Sequence, residues 1–111
     1  MIQKTTQTTT RLPKNRAPVH PGEILLEEYM KPYNITQQEM AAQMKTSRKH
    51  LIDILHARRP VSLEMAQRLA KLFQTSIDFW IQGQVAFDLW HAIRNPSREL
   101  RSIKPLKERM H

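Results

Sequence analysis

The sequence predicts an all-α fold of five helices, and three observations support this prediction. Apolar residues recur at helical spacing through residues 20–93, whereas no segment alternates strictly between polar and apolar positions as a strand would. A serine or threonine precedes most of these apolar runs, where its hydroxyl can cap the first helical turn. With 2 glycines and no cysteine in 111 residues, the composition excludes a glycine-rich phosphate loop, a disulfide framework and a thiolate metal site.

The first helix is predicted over residues 23–30. Pro21 suits the turn that opens it, because the amide hydrogen that proline lacks has no partner in a first turn. Glu27 stands four residues before Lys31, a spacing that favours an ion pair along a helix. Pro32 is expected to end the helix, since proline removes a backbone donor and its ring clashes with the preceding turn.

Two short helices follow, each with its own capping residue. Thr36 and Glu39 have the spacing of a capping box, which predicts a helix over about residues 37–44. Ser47 is placed to cap the next helix, over about residues 48–56.

The connection between these two helices predicts a helix-turn-helix. Only Lys45 and Thr46 separate the two elements, and short helices joined so tightly cross at a steep angle. Ala41 stands where close packing of the pair requires a small side chain. Leu51 and Ile54 are expected to close the core beneath it.

The last two helices carry most of the remaining apolar residues. Pro60 and Ser62 begin a fourth helix that runs to about Phe73. Ser76 caps a fifth that continues to about Ile93. The fifth helix is apolar on more than one face, so a second face is expected to meet another subunit across a two-fold axis, the alternative being an intramolecular core. The residues expected at that dimer interface are Phe79, Trp80, Val85, Phe87, Leu89, Trp90 and Ile93.

The charge of the chain lies at its ends. The net charge is +8, and the domain predicted over residues 20–93 holds eight bases and eight acids. Residues 1–19 hold four bases and no acid, and residues 94–111 hold six bases and two acids. Both ends have low apolar content and are expected to be flexible basic tails, either solvated or in contact with DNA or a protein partner. A basic chain favours a polyanionic partner, with nucleic acid first and an anionic membrane surface second.

Within the neutral domain, residues 45–59 hold five bases and one acid, which predicts a basic face over the third helix. In a helix-turn-helix, the first residues of the second helix meet base edges in the major groove. The residues expected there are Ser47, Arg48, Lys49 and His50. Arg58 and Arg59 would flank the site and bind phosphate, or form a solvated loop. Asp53 either accepts from cytosine or is a solvated acid paired with Lys49.

The sequence gives no indication of an enzyme. It contains no nucleophile–base arrangement and no nucleotide motif, so we expect no catalytic residue and no cofactor. His50 and His56 are six positions apart, on different helix faces, so we expect no metal site. No run of about 18 apolar residues is present, and the first residues lack an apolar signal core. The cytoplasm is therefore the expected compartment.

The sequence contains five spaced motifs: His20-Pro21-Gly22-Glu23-Ile24-Leu25, Lys31-Pro32, Ser62-Leu63-Glu64-Met65-Ala66, Asp78-Phe79-Trp80 and Asp88-Leu89-Trp90. Together these motifs resemble the HigA-type addiction-module antitoxins. The resemblance covers about residues 19–92. It implies a λ-repressor-like five-helix bundle that dimerises and represses its own operon at a palindromic operator. It also implies a partner toxin of the HigB type, a ribosome-dependent mRNA endonuclease that the protein would neutralise.

The resemblance assigns two further positions. Gln37 matches the position at which this family anchors a DNA phosphate at the start of the second helix. Lys45 departs from the family pattern, because helix-turn-helix proteins usually have glycine at this turn. A non-glycine residue in the left-handed conformation costs roughly 1 kcal/mol, so the fold is expected to survive.

Two other functions remain open on the sequence. The protein could be a stand-alone helix-turn-helix repressor without a toxin partner. It could also be an RNA-binding or membrane-surface protein that acts through its basic tails.

Overall fold

The computed structural model describes residues 17–106, which form six helices and no strand. The helices are α1 over residues 21–33, α2 Gln37–Met44, α3 Arg48–Leu55, α4 Leu63–Phe73, α5 Ile77–Arg94 and α6 Arg98–Ser102. The five predicted helices are all present and the all-α prediction is confirmed. The sixth lies in the segment expected to be a C-terminal tail, and none of its residues is buried. Most of the N-terminal segment predicted as a tail, residues 1–16, lies outside the described part of the chain.

α1 contains a wide π-helical turn. This helix consists of an α-helical turn over Pro21–Ile24, a π-helix over Leu25–Met30 and a closing α-helical turn over Lys31–Tyr33. The amide of Lys31 donates to the carbonyl of Leu26, five residues back. The expectation that Pro32 ends the helix is wrong by one residue, because the widened turn before it accommodates the proline ring and Tyr33 still belongs to the helix.

The capping residues predicted for the other helices are confirmed. The Ser47, Ser62 and Ser76 hydroxyls each accept a hydrogen bond from the backbone amide three residues later, at 3.0, 3.1 and 3.0 Å. Thr36 and Glu39 form the full capping box, with each side chain bonded to the backbone amide of the other residue. These caps fix the residue at which each helix begins.

The hydrophobic core lies between α1, α2, α3, α4 and the first turn of α5. Its members are Leu25, Met30, Met40, Ala41, Met44, Leu51, Ile54, Leu55, Val61, Met65, Ala66, Leu69 and Trp80. Ala41, Leu51 and Ile54 are all buried at the α2–α3 crossing, as predicted. No helix within residues 17–106 is long and apolar enough to cross a membrane.

Both tryptophans expected at a dimer interface are buried in the protomer. Trp80 is 1% exposed, and its indole Nε1–H donates to the Thr75 hydroxyl at 2.7 Å. Trp90 is 7% exposed, with the Arg94 guanidinium 3.3 Å above its ring. Trp80 therefore belongs to the core rather than to an intersubunit face, and Trp90 has little surface left for a second subunit.

Candidate nucleic-acid interface

α2 and α3 form the predicted helix-turn-helix, and the turn between them has a fixed geometry. Lys45 adopts the left-handed conformation, with φ 57° and ψ 43°, as expected at this position. The amide of Thr46 then donates to the Ala41 carbonyl at 3.0 Å, which closes the end of α2. The chain is thereby turned sharply into Ser47, the first residue of the next cap.

Arg68 on α4 binds the backbone of this turn through hydrogen bonds. Its Nη1 donates to the carbonyls of Met44 and Lys45 at 2.8 and 2.7 Å, and its Nη2 donates to Glu64 at 2.7 Å. A cation at the C-terminal end of a helix is favoured by the helix dipole. Sequence reasoning missed Arg68, whose only local signal is its spacing of four residues from Glu64.

The first turn of α3 presents its polar side chains to solvent. Ser47, Arg48 and Lys49 are exposed and His50 is half-buried. Burial and the nearby Arg59 guanidinium lower the pKa of His50 from its ordinary 6.5, so its ring is neutral at pH 7. The turn therefore carries two cationic donors, Arg48 and Lys49, and one neutral ring, His50. Such a set is suited to contacts with base edges.

Gln37 lies at the start of α2, apart from this turn. Its side chain is half-buried and lines a shallow groove with Lys31 and Asn34 at the end of α1. Position 37 is therefore placed at a helix N-terminus, where backbone amides favour an anion.

Asp53 organises the basic side chains of the interface. The predicted pair with Lys49 is present, at 3.1 Å, but the acid is buried rather than solvated. Its other oxygen, Oδ1, accepts from Nε and Nη2 of Arg58 at 3.3 and 3.2 Å. Arg59 Nη2 lies 4.0 Å from Oδ2, the oxygen that Lys49 contacts. Hydrogen bonds from Lys49 and Arg58 hold the pKa of Asp53 below its ordinary value, against the opposing effect of burial. We call these four residues the Asp53 cluster.

The loop after α3 brings its arginines back to the helix. Ala57 adopts φ 59°, and the amide of Arg58 donates to the Asp53 carbonyl at 2.8 Å. The loop therefore folds over the end of α3, and Arg58 and Arg59 reach the same carboxylate as Lys49. Basic residues from two elements thus form one surface beside the first turn of α3.

The side chains expected at a dimer interface do not form a single patch. Phe87 is half-buried, with ring centroids 4.8 Å from His20 and 4.5 Å from His91. The side chains of this set that remain exposed on α5 are Phe79, Val85, Leu89 and Ile93. Val85, Leu89 and Ile93 follow one another at intervals of four residues, so they form one stripe along the helix.

A tight two-helix turn, an exposed polar first turn on the second helix and a basic surface beside it define a helix-turn-helix protein of the DNA-binding class. Within residues 17–106 no group of three His, Asp and Glu side chains is arranged to hold a metal ion.

The comparisons with known proteins agree with this class. The helix-turn-helix family model matches residues 26–80. The uncharacterised HTH-type transcriptional regulator YbaQ of Escherichia coli K12 is 38% identical over 95 residues, 84% of each chain. Antitoxin HigA-1 of Vibrio cholerae is 30% identical over 91 residues, 82% of this chain and 86% of the relative. The structure of the Pseudomonas aeruginosa antitoxin HigA with the higBA promoter matches with a TM-score of 0.69 at 34% identity, over 80% of this chain and 98% of that one.

The chain therefore belongs to the HigA-type family of helix-turn-helix proteins. These are DNA-binding regulators and antitoxins, not enzymes, so the protein is assigned to a DNA-binding regulatory role.

Proposed function

We propose that this protein binds a palindromic operator as a homodimer, represses its own operon and neutralises a HigB-type mRNA endonuclease. The observation that carries the proposal is the exposed first turn of α3 beside the basic residues of the Asp53 cluster. The P. aeruginosa antitoxin HigA structure with the higBA promoter supports the DNA-binding half, and the name of the V. cholerae relative supports the antitoxin half.

In the proposed complex, α3 enters the major groove. Arg48 pairs with a guanine through its two parallel donors, and Ser47, Lys49 and His50 contact neighbouring base edges or phosphates. Gln37 and the N-terminus of α2 anchor a phosphate on one side of the groove. Arg58 and Arg59 bind phosphate on the other side.

The double variant Arg48→Ala/Lys49→Ala tests these roles. We expect it to lose operator affinity by about 1–3 kcal/mol for each base contact removed, with a smaller loss on random DNA. The measurement is fluorescence anisotropy with labelled operator and random duplexes at one salt concentration. Lys71→Ala is the control, since Lys71 is an exposed lysine of α4 outside residues 45–59. If the double variant discriminates between the duplexes as well as the control does, the proposed base contacts are wrong.

The toxin is proposed to dock on the acidic face of α1 or elsewhere on the domain body, rather than on a basic tail. Glu23, Glu27 and Glu28 are exposed on this helix, and a ribonuclease that holds RNA needs a basic surface. A basic tail is poorly suited to such a partner. Deletion of residues 1–19 is therefore expected to leave neutralisation intact and to weaken the salt dependence of DNA binding. Loss of neutralisation with unchanged DNA affinity would contradict this docking site.

Affinity purification from the native host tests the antitoxin function itself. After nuclease treatment at moderate salt, we expect a small stoichiometric partner that is inactive in the complex and cleaves mRNA once separated. Recovery of the homodimer alone would instead favour a stand-alone repressor of the same fold.

A further inference from the structure

The Asp53 cluster combines a buried acid with exposed cations. The Asp53 side chain is 11% exposed, whereas the side chains of Lys49, Arg58 and Arg59 are 82%, 59% and 47% exposed. Both carboxylate oxygens are engaged, one by Arg58 and the other by Lys49. Oδ1 accepts two hydrogen bonds from Arg58 and Oδ2 accepts one from Lys49, so both oxygens are used within the cluster and only Oδ2 keeps a lone pair for a further donor.

The hydrogen bonds to Asp53 restrict the orientation of the Arg58 side chain. Arg58 uses Nε and Nη2 on the carboxylate, and a guanidinium carries five N–H donors in one plane. The remaining donors of Arg58 are thereby held in a fixed plane on the solvent side. Binding that orders a long, flexible side chain costs conformational entropy, so a side chain already held in place loses less on binding.

Residue 53 also fixes the backbone of the loop. Its carbonyl accepts from the amide of Arg58 while its carboxylate accepts from the Arg58 side chain. Main chain and side chain of one residue in α3 therefore both determine where the loop lies. The loop position relative to the first turn of α3 depends on Asp53.

We infer that Asp53 is a positioning residue of the DNA site, which holds Lys49, Arg58 and Arg59 in the orientation that meets the phosphates flanking the bases contacted by α3. This inference rests on the proposed DNA-binding function. It assigns no contact between Asp53 and DNA, and its effect passes through the three cations.

The positioning role and a simple charge effect predict opposite results for operator DNA. A carboxylate near a phosphate backbone is repulsive, so removing its charge alone tightens binding to every duplex. If Asp53 positions the cations, removing it weakens operator binding, because the phosphate contacts no longer set the register of α3. Random DNA, which needs no register, is bound as tightly as before or more tightly.

The variant Asp53→Asn tests this at nearly constant side-chain size. We expect its preference for operator over random DNA to fall by about tenfold, the equivalent of one lost base contact. Asp78→Asn is the control, since it removes the same charge from an exposed carboxylate of α5 that bonds only to Gln82 among the described contacts. Equal tightening on both duplexes in Asp53→Asn would overturn the inference.

A second variant, Arg58→Lys, keeps the charge and removes the planar pair of donors. We expect it to reduce the same preference, and the double variant with Asp53→Asn to be no worse than the more severe single variant, because both changes weaken the same Arg58–Asp53 interaction. Additive losses would overturn the inference even if Asp53→Asn folds poorly. A wild-type protein that prefers no DNA sequence would overturn the proposed function as well, whereas an unchanged preference in both variants overturns the inference alone.

Discussion

At the scale of single residues, four helix ends share a backbone conformation that usually favours glycine. Residues in the left-handed conformation end α1, α2, α3 and α4, and none of them is glycine: Asn34, Lys45, Ala57 and Gln74. After each, the following amide donates to the carbonyl five residues earlier. Asparagine adopts this conformation readily, but lysine, alanine and glutamine lose roughly 1 kcal/mol each by it. The hydrogen bonds that close each helix compensate for this strain.

Gln74→Gly is therefore expected to stabilise the protein. Glycine relieves the left-handed strain but makes the unfolded chain more flexible, so the expected net gain is about 0.5 kcal/mol in the free energy of unfolding. Gln67→Gly is the matched control, since Gln67 is exposed in the middle of the same helix. There glycine should cost about 1 kcal/mol. Urea denaturation of both variants measures the two effects, and a loss of stability in both would contradict this account.

His20 is the capping residue of α1 and is buried. Its Nδ1 accepts a hydrogen bond from the Gly22 amide at 2.9 Å, which a protonated ring cannot do. Burial lowers the pKa of His20 from its ordinary 6.5, and the negative charge of Asp88 opposes this in part. The folded state therefore favours the neutral ring.

This lowered pKa predicts a pH dependence of stability. Because the unfolded chain binds a proton at a higher pH than the folded one, the contribution of His20 is complete above about pH 6.5 and is lost as the pH falls below it. The variant His20→Asn keeps a capping acceptor and does not titrate. Urea denaturation at pH 7.5 and 5.5 should show a smaller loss of stability for the variant than for the wild type. An equal loss in both would exclude His20 as the cause.

At the scale of helices, Gly22 lets the backbones of α1 and α3 approach closely. A Cβ atom at Gly22 would collide with the Ile54 carbonyl oxygen and lie 3.1 Å from the Leu55 Cα. Gly22 therefore sets how near α1 lies to the end of α3, and with it the depth of the core beneath the helix-turn-helix. Gly83 on α5 is different, because a Cβ atom there would lie 3.4 Å from its nearest neighbour, the Pro21 Cγ, which is ordinary contact distance.

The two glycines give a matched pair of predictions. Gly22→Ala should lower the free energy of unfolding by about 1–3 kcal/mol, because backbone atoms must move apart. Gly83→Ala should raise it by about 0.5–1 kcal/mol, because alanine is the better helix former and its methyl group fits the available space. Thermal unfolding of both variants is the measurement. Equal changes in the two variants would show that the α1–α3 approach is not the constraint.

The helices could be predicted where their signals are local. Thr36, Ser47, Ser62 and Ser76 cap the helices that the sequence assigned to them, because a cap depends only on a few neighbouring residues. The π-helical turn in α1 has no comparable sequence signal, so the helix end was misplaced at Pro32.

The candidate site was predictable only in part, for the same reason. The exposed residues of α3 follow from its first turn, but Arg68 reaches the Lys45 carbonyl from 23 residues away. A pair with Lys49 was one of the two interpretations of Asp53 that the sequence left open, and it rests on helical spacing alone. The fold of the loop that adds Arg58 is a tertiary feature. Contacts between elements depend on packing, which one sequence does not show.

At the scale of the whole molecule, the exposed stripe on α5 points to a second copy. Val85, Leu89 and Ile93 are 50%, 44% and 60% exposed on a helix whose other face packs in the protomer. If a two-fold axis passes beside this stripe, the stripes of the two subunits cover each other. The same symmetry would place the two copies of α3 about one turn of DNA apart.

Leu89→Arg tests this interface. A charge on the stripe should raise the dimer dissociation constant by about 30-fold or more and weaken operator binding with it. Leu63→Arg is the control, since Leu63 is 62% exposed on α4, outside the stripe. Sedimentation velocity over a range of concentrations measures the oligomeric state. A dimer that survives Leu89→Arg as well as it survives the control would place the interface elsewhere.

In the proposed function, two copies of α3 contact one operator through the major groove. Hydroxyl-radical footprinting on the DNA upstream of the gene tests it most directly. We predict two protected patches on one face of the duplex, centred about 10 base pairs apart on an inverted repeat. A single patch, or protection that spreads along the DNA without a repeated sequence, would contradict it.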